Sequence, residues 1–299
     1  MNTQNPYHHL PTEITSNKIA LGTVQFGLNY GINNQQGQIS PIEVGNILSF
    51  AHQMGLDTLD TAHAYGESET VLGQQSLAHF KIVSKSPAYG SSSIRMHLEE
   101  SLSRLKLKGL YGYLFHDFRT FRKKPEGWVV FEQLKAEGLL EKIGFSLYQP
   151  EDLRWIWKQH IKPDLIQIPY NIFDRRFEEI FDESSARGIE IHSRSAFLQG
   201  LFFKEISLLP PHFQSVSTHI HQLHRLSKKY ALPIAHICLY FCLSQVHIDR
   251  VVIGIDSLSQ LKHNIELTQS IEFPAQLLAD LRQLKVEDET IINPALWKL

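Results

Sequence analysis

The sequence has few cysteines and almost no net charge. Cys238 and Cys242 are its two cysteines, and their i,i+4 spacing predicts a reduced pair on one helix face. The net charge is −2, so no strong electrostatic field draws nucleic acid or an acidic membrane to the chain. We therefore expect a protein of a reducing cytoplasm that binds neither nucleic acid nor membranes.

Long apolar runs are also absent. The most apolar stretch, residues 231–248, contains Pro233, His236 and Gln245, which predicts a buried helix and not a membrane span. Residues 1–17 are polar and lack the apolar core of a secretory signal. They are predicted to form an N-terminal extension.

Eight short apolar runs recur along the chain, each bounded by a turn residue or a polar residue. They are residues 19–21, 58–60, 81–83, 112–115, 142–145, 165–168, 190–192 and 250–253. Amphipathic helical patterns separate them, the first beginning at Ser40-Pro41 with Glu43 as a capping-box residue. Eight alternating units predict one (β/α)₈ barrel domain, followed by a C-terminal helix and tail over residues 274–299.

An open, doubly wound sheet is the main alternative to a barrel. Such sheets often carry Gly-x-Gly-x-x-Gly directly after the first strand, where it holds a dinucleotide. This chain instead continues Leu-Gly-Thr-Val-Gln-Phe-Gly over residues 21–27, which lacks that spacing. The closed barrel is therefore favoured.

Four ionisable residues lie where three consecutive strands end. Asp60 ends the second run, Tyr65 follows on its loop, Lys85 follows the third run and His116 ends the fourth. Barrel enzymes carry their active sites at the carboxyl ends of the strands, and neighbouring strands lie about 4.8 Å apart. Each residue alone fits an ordinary structural role, but together they predict a single site.

These four residues suit the reduction of a carbonyl, which needs a hydride on carbon and a proton on oxygen. Tyr65 can donate the proton, and an ammonium at Lys85 is expected to lower the tyrosine's pKa. Asp60 can keep Lys85 charged and oriented. His116 can hydrogen-bond the substrate oxygen and stabilise the charge that develops there.

The segment Leu-Asp-Thr-Ala-His-Ala-Tyr-Gly-Glu-Ser-Glu-Thr-Val-Leu-Gly, residues 59–73, resembles the signature of the aldo/keto reductases. Asp60, Tyr65, Lys85 and His116 match the family's catalytic residues. The resemblance implies a (β/α)₈ barrel, a nicotinamide cofactor and a small-molecule carbonyl or alcohol as substrate.

The resemblance also implies a set of cofactor contacts. Ser146 and Gln167 would hold the nicotinamide carboxamide, with Leu147 standing where the family has a second contact, an asparagine. Arg194 replaces a tyrosine that stacks on the nicotinamide, and a planar guanidinium can still stack. The implied cofactor residues are Gly22, Thr23, Ser146, Gln167, Ser193, Arg194, Ser195, Gly200, Gly254, Asp256, Gln260 and Asn264.

The choice between NADP(H) and NAD(H) depends on the segment after the eighth strand. Gly254 and Gln260 stand where the family has the lysine and arginine that bind the 2′-phosphate, while Asn264 keeps the family's adenine contact. Asp256 nearby would repel a phosphate but accept from a ribose diol. We expect either dinucleotide to serve, with weaker discrimination against NAD(H) than is usual in the family, although Lys262 or His263 could still supply positive charge.

The loops after the first and seventh strands are long, and the first is rich in amides, which favours a hydroxyl-rich substrate such as a sugar. The opening of the first loop resembles that of bacterial family members linked to sugar metabolism and surface polysaccharides. The residues expected to line the substrate pocket are Tyr30, His63, Tyr89, Phe118 and Phe173. We expect a monomer or a small homo-oligomer.

Two other functions remain open from the sequence. One is a catalytically silent barrel that binds nucleotide as a sensor or interaction module. The other is a metal-dependent hydrolase, which needs clustered ligands at strand ends. The strand ends offer His116 and His192 but no His-x-His pair, so no metal site is predicted.

Overall fold

The computed structural model describes residues 16–31, 34, 37–87, 91–269 and 273–297. The first 15 residues of the predicted N-terminal extension lie outside the described residues. So do Tyr89, which is predicted to line the pocket, and Asn33, Gln35 and Gln36 of the amide-rich first loop.

Eight parallel strands close into a barrel in which each strand pairs with its neighbours in sequence and β1 also pairs with β8. The strands are β1 (Ile19–Gly22), β2 (Thr58–Asp60), β3 (Lys81–Ser86), β4 (Leu110–Phe115), β5 (Leu140–Ser146), β6 (Leu165–Pro169), β7 (Glu190–Arg194) and β8 (Arg250–Gly254). Each apolar run found in the sequence lies within one of these strands. The predicted (β/α)₈ barrel is confirmed.

Helices follow the strands on the outside of the barrel. They are α1 (Val24–Gly27), α2 (Pro41–Gln53), α3 (Ser68–Leu72), α4 (Ser91–Leu105), α5 (Phe118–Phe121), α6 (Gly127–Ala136), α7 (Pro150–Lys158), α8 (Phe181–Ala186), α9 (Ser217–Tyr230), α10 (Ile234–Leu243), α11 (Leu258–Gln269), α12 (Ala275–Arg282) and α13 (Glu289–Ile292). Short 3₁₀ helices lie at Ser16–Lys18, Arg176–Ile180, Leu198–Phe203, Ile206–Leu208, Pro211–Val216 and Pro294–Leu296.

The start of α2 forms as the sequence predicts, except for the partner of the Glu43 side chain. Ser40 is the N-cap, and its hydroxyl accepts from the Glu43 N–H at 3.3 Å. The Glu43 carboxylate accepts from the Leu258 N–H at 2.8 Å, at the beginning of α11. Glu43 therefore joins the helices that follow the first and last strands.

The main apolar core lies between the strands and the helices. Between β4, β5 and α6 it is aromatic: Phe115 stacks on Phe131 with ring centroids 4.0 Å apart, and Trp128 stacks on Phe145 at 5.2 Å. The predicted cysteine pair is confirmed as free and buried within α10. None of the described helices combines the length and apolar character that a membrane crossing requires.

A second, small apolar cluster joins Val83, Leu114 and Leu165 on β3, β4 and β6. Polar groups lie at both ends of the strands. At the amino ends, Glu190 contacts Lys142 and accepts from His192 at 2.6 Å. His192 is thus buried at the start of β7 and does not join His116 at the carboxyl ends, as a hydrolase site would require. The other polar group contains Asp60 and Lys85.

Candidate active site

A cavity of about 520 Å³ opens at the carboxyl ends of the strands, a volume typical of small-molecule sites. Its walls include three of the four predicted catalytic residues and most of the predicted cofactor residues. Those present are Asp60, Tyr65, His116, Tyr30, Gly22, Thr23, Ser146, Gln167, Arg194, Ser195, Gly200, Gly254, Asp256 and Gln260. The fourth catalytic residue, Lys85, lies buried behind this wall.

Besides Lys85, five predicted site residues are described but do not line the cavity, among them Phe173, which packs against Phe202. Ser193 is buried with its hydroxyl on Arg250 O, because alternate side chains of a strand point to opposite faces and Arg194 points inward. Asn264 is buried in α11. Phe118 packs against Phe145 in the aromatic core. His63 instead contacts Glu100 on α4.

Lys85 and Asp60 form a buried ion pair. The Lys85 ammonium donates to Asp60 Oδ1 at 2.7 Å and to Thr61 O at 2.8 Å, and their side chains are 1% and 5% exposed. Its third contact is Tyr65 Oη at 3.5 Å. Burial favours the neutral amine, but Asp60 and Tyr65 outweigh it and raise the pKa of Lys85. The lysine therefore stays charged.

Tyr65 differs from the sequence prediction in one respect. Burial raises its pKa above the usual 10, while the Lys85 ammonium acts in the opposite direction and Asp60 adds to the increase. Lys85 thus lowers this pKa as the sequence predicts, but the net shift is upward, because loss of water costs the phenolate more than the ammonium returns. Tyr65 holds its proton at neutral pH.

His116 lies beside Tyr65, with ring centroids 5.8 Å apart in an edge-to-face arrangement. Burial lowers the pKa of His116 to about 4, and the nearby Lys85 ammonium adds to the decrease. The imidazole is consequently neutral at pH 7. A neutral ring can donate an N–H hydrogen bond without adding a second positive charge to the site.

Two glycines set the path of the loop that carries Tyr65. A Cβ on Gly27 would lie 1.9 Å from Tyr65 O and 2.3 Å from Ser68 N, so the loop backbone lies directly on α1. Gly66 has φ +55°, a conformation that favours glycine. Ser68 donates to Thr23 O at 2.9 Å and ties the loop to the end of β1.

Gln167 is oriented by the ion pair. Its Nε2 donates to Asp60 Oδ2 at 2.6 Å, which leaves Oε1 as the free acceptor of the amide. Asp60 thus contacts both Lys85 and Gln167, one with each oxygen. A single carboxylate thus links Lys85, beside Tyr65, to a predicted cofactor contact.

Arg194 lies near the catalytic residues. Its guanidinium is 4.2 Å from the Tyr148 ring centroid and donates to Leu147 O at 3.2 Å. Tyr148 also lines the cavity. Among the described residues of the cavity wall, Arg194 is the single lysine or arginine.

At the other end of the cavity, Gly254, Asp256 and Gln260 meet Gln25. The Gln25 side chain hydrogen-bonds Asp256 and covers the bare Cα of Gly254. Gln25 Oε1 and Asp256 Oδ1 are buried without hydrogen-bond partners. Buried acceptors of this kind are costly unless a ligand or water satisfies them.

Comparison with known proteins decides the family. Residues 18–285 match the aldo/keto reductase family. The chain belongs to this family. It is 24% identical over 250 residues to the uncharacterized oxidoreductase YqkF of Bacillus subtilis, covering 74% of this chain and 80% of that one. It is 23% identical over 270 residues to L-galactose dehydrogenase of Arabidopsis thaliana, covering 82% of each.

The fold agrees with solved members of the family. The holo form of the aldo-keto reductase AKR11C1 from Bacillus halodurans superposes with a TM-score of 0.71 at 19% identity, covering 94% of this chain and 95% of that one. Because the chain belongs to the aldo/keto reductase family, it is an NAD(P)H-dependent oxidoreductase that acts on small molecules. The unsatisfied acceptors Gln25 Oε1 and Asp256 Oδ1 fit a ligand rich in hydroxyl and amide donors, as a dinucleotide is. The glycines of the wall, such as Gly22 and Gly254, also let a ligand approach the backbone closely.

Some residues that line the cavity of this aldo/keto reductase are not among those predicted from the sequence. Tyr148 and Gln25 line the wall, as do Pro294 and Ala295 from the C-terminal segment. Tyr148 and Gln25 follow the ends of β5 and β1, so their position was a usable signal. Pro294 and Ala295 carry no such signal, because only the path of the chain after α13 brings them to the cavity.

Proposed function

We propose that Tyr65, Lys85, Asp60 and His116 form the catalytic site of a carbonyl reductase, with Tyr65 as the proton donor. The observation that supports this is the contact of one buried ion pair with the Tyr65 hydroxyl at the cavity wall. A sensor that only binds nucleotide would gain nothing from a buried charge pair aimed at a phenol, and such a pair is expensive to maintain.

A reduced nicotinamide held by Ser146 and Gln167 would supply the hydride that the carbonyl carbon needs. The substrate oxygen gains negative charge as it does so, and Tyr65 donates its proton there while Lys85 stabilises the phenolate left behind. Neutral His116 donates an N–H to the same oxygen and fixes the side from which it is approached. Asp60 keeps Lys85 charged and, through Gln167, orients Oε1 toward an amide donor.

A Tyr65→Phe variant tests this role. Turnover should fall by about 10²-fold or more, the range lost when a general acid is removed, while dinucleotide affinity stays within about two-fold. Tyr240→Phe is the matched control, since Tyr240 stacks on Phe273 away from the cavity. Unchanged turnover in Tyr65→Phe would reject the tyrosine as donor and favour a silent, nucleotide-binding barrel.

We also propose that this enzyme uses NAD(H) at least as readily as NADP(H). Gly254 and Gln260 supply no cation, and Asp256 Oδ1 is an unsatisfied acceptor on the same wall. A ribose diol can donate to that oxygen, whereas a 2′-phosphate would be repelled by it. Lys262, a nearby source of positive charge in the sequence, lies over the Phe50 ring and does not line the cavity.

Fluorescence titration with NADH and NADPH tests the preference. Wild type should bind NADH as tightly as NADPH or more so, and ten-fold tighter NADPH binding would refute the proposal. Gly254→Lys with Gln260→Arg should shift the ratio toward NADPH by about ten-fold, because each restores a phosphate contact. Asp256→Asn removes the carboxylate that repels the phosphate and should shift the ratio in the same direction, whereas Glu287→Gln, its charge-matched control at an exposed carboxylate outside the cavity wall, should not.

The proposed substrate is a hydroxyl-rich carbonyl compound or the corresponding alcohol. Gln199 from the seventh loop donates to Tyr30 Oη at 2.6 Å, and Asn34 and Tyr148 add further polar groups to the wall. One relative is an L-galactose dehydrogenase, which agrees with this class. A panel of aldoses and polyols against alkyl aldehydes of equal length tests it: higher kcat/KM for the alkyl series would exclude a sugar-like substrate.

A further inference from the structure

A cluster of three metal-binding side chains lies outside the cavity. His63 is on the loop between β2 and α3, and His97 and Glu100 are on α4. Among the described residues this is the group of three histidine, cysteine or acidic side chains close enough to hold an ion. The proposed reaction uses none of the three.

The geometry suits a small divalent cation. His63 Nε2 lies 2.9 Å from Glu100 Oε2, and the ligand atoms of all three residues lie within 4.8 Å of one another. Tetrahedral zinc with bonds of about 2.0–2.1 Å places its ligands about 3.3 Å apart. His97 and Glu100 are three residues apart on one helix face. Rotation of their side chains can therefore bring ligand atoms that are up to 4.8 Å apart to the zinc spacing.

A second observation points to a missing ligand. The Nδ1 atom of His97 is buried and has no hydrogen-bond partner, although its ring meets that of His63 edge to face with centroids 4.8 Å apart. Buried polar atoms are nearly always satisfied. An ion can reach the cluster from solvent, because the His63 side chain is 16% exposed and that of Glu100 is 43% exposed.

We propose that His63, His97 and Glu100 bind one Zn²⁺ ion, with water completing the coordination. Two imidazoles and one carboxylate favour zinc over the harder magnesium ion. The ion would tie the loop that carries Tyr65, two residues beyond His63, to α4. Arg104 lies 3.8 Å from the same Glu100 oxygen and would move aside. This site departs from the sequence expectation of no metal.

Zinc content of the full chain tests the proposal directly. The starting protein for the experiment is the variant His8→Gln with His9→Gln, in which the histidines near the N-terminus do not compete for zinc. It is loaded with Zn²⁺ and then desalted over a chelating resin. We expect about one zinc per chain, falling below about 0.2 in His97→Gln and in Glu100→Gln. His52→Gln, from a stacked histidine pair elsewhere, should keep its zinc. Mg²⁺ should not bind in any of them.

Two further measurements use the starting protein without any substitution in the cluster, so they do not depend on whether the cluster variants fold. Zinc should raise the unfolding temperature of the starting protein by a few degrees, because it binds the folded state alone. X-ray absorption at the zinc edge should show two imidazoles, oxygen and no sulfur. Absence of retained zinc, full retention in both cluster variants, or a ligand set with sulfur or fewer than two imidazoles would each overturn the proposal.

Discussion

Replacing Lys85 by methionine should cost both stability and activity, for separable reasons. Lys85→Met removes the cation from a pair that is almost fully buried and leaves the Asp60 carboxylate with Gln167 as its remaining described hydrogen-bond donor. Breaking a buried ion pair from one side costs about 3–5 kcal/mol, because the remaining charge has lost its water. Urea unfolding followed by tryptophan fluorescence should show that loss at pH 7.

The double variant Lys85→Met with Asp60→Asn separates pairing from loss of side chains. It leaves no buried charge, and asparagine can still accept from Gln167. Its stability should therefore lie above that of Lys85→Met, with a loss of about 1–3 kcal/mol for the hydrogen bonds that remain unmade. Stability losses that simply add between the two single variants would refute the coupling of the pair.

Activity should not return with stability. Both Lys85→Met and the double variant lack the ammonium that stabilises the Tyr65 phenolate, so turnover should stay at least about 10²-fold below wild type. A double variant that regains turnover along with stability would show that the pair has a purely structural role. The comparison therefore distinguishes the catalytic proposal from a packing function.

The remaining predictions concern other contacts. The pKa of His116 is about 4 in the fold and near 6.5 when unfolded, so the unfolded chain binds more protons between these values and stability rises with pH across them. Lowering the pH from 7 to 4.5 should remove about 2–3 kcal/mol in wild type and less in His116→Asn, measured by urea unfolding. Gly27→Ala should displace the Tyr65 loop and reduce kcat/KM by about 10²-fold, whereas Gly45→Ala, which meets only the flexible end of Gln75, should not. Phe131→Ala should cost about 3–5 kcal/mol, and a loss below 1 kcal/mol would contradict the packing described.

The barrel and most of the candidate site could be predicted from the sequence because their signals are local. Short buried runs alternating with helical stripes specify parallel strands with helical crossovers, and strand ends in such a barrel face one side. Asp60, Tyr65 and His116 line the cavity for this reason, with Lys85 directly behind them. The same reasoning could have found Gln25 and Tyr148.

The predicted residues that do not line the cavity differ from the others in the direction of their side chains. Ser193 and Arg194 are neighbours, yet one faces the helices and the other the cavity, since a strand alternates its faces. His63 lies between Asp60 and Tyr65 in sequence but turns to α4. Resemblance to a motif does not determine either direction.

The sequence by itself determined the order of strands, the closed barrel and the residues that meet at its carboxyl end. The tertiary structure alone decided the electrostatics there. The pKa of Tyr65 depends on how much water the whole surrounding chain excludes, and that sum outweighs the single nearby charge at Lys85. Burial is contributed by many segments distant in sequence, so no local pattern encodes its magnitude or the sign of the net shift.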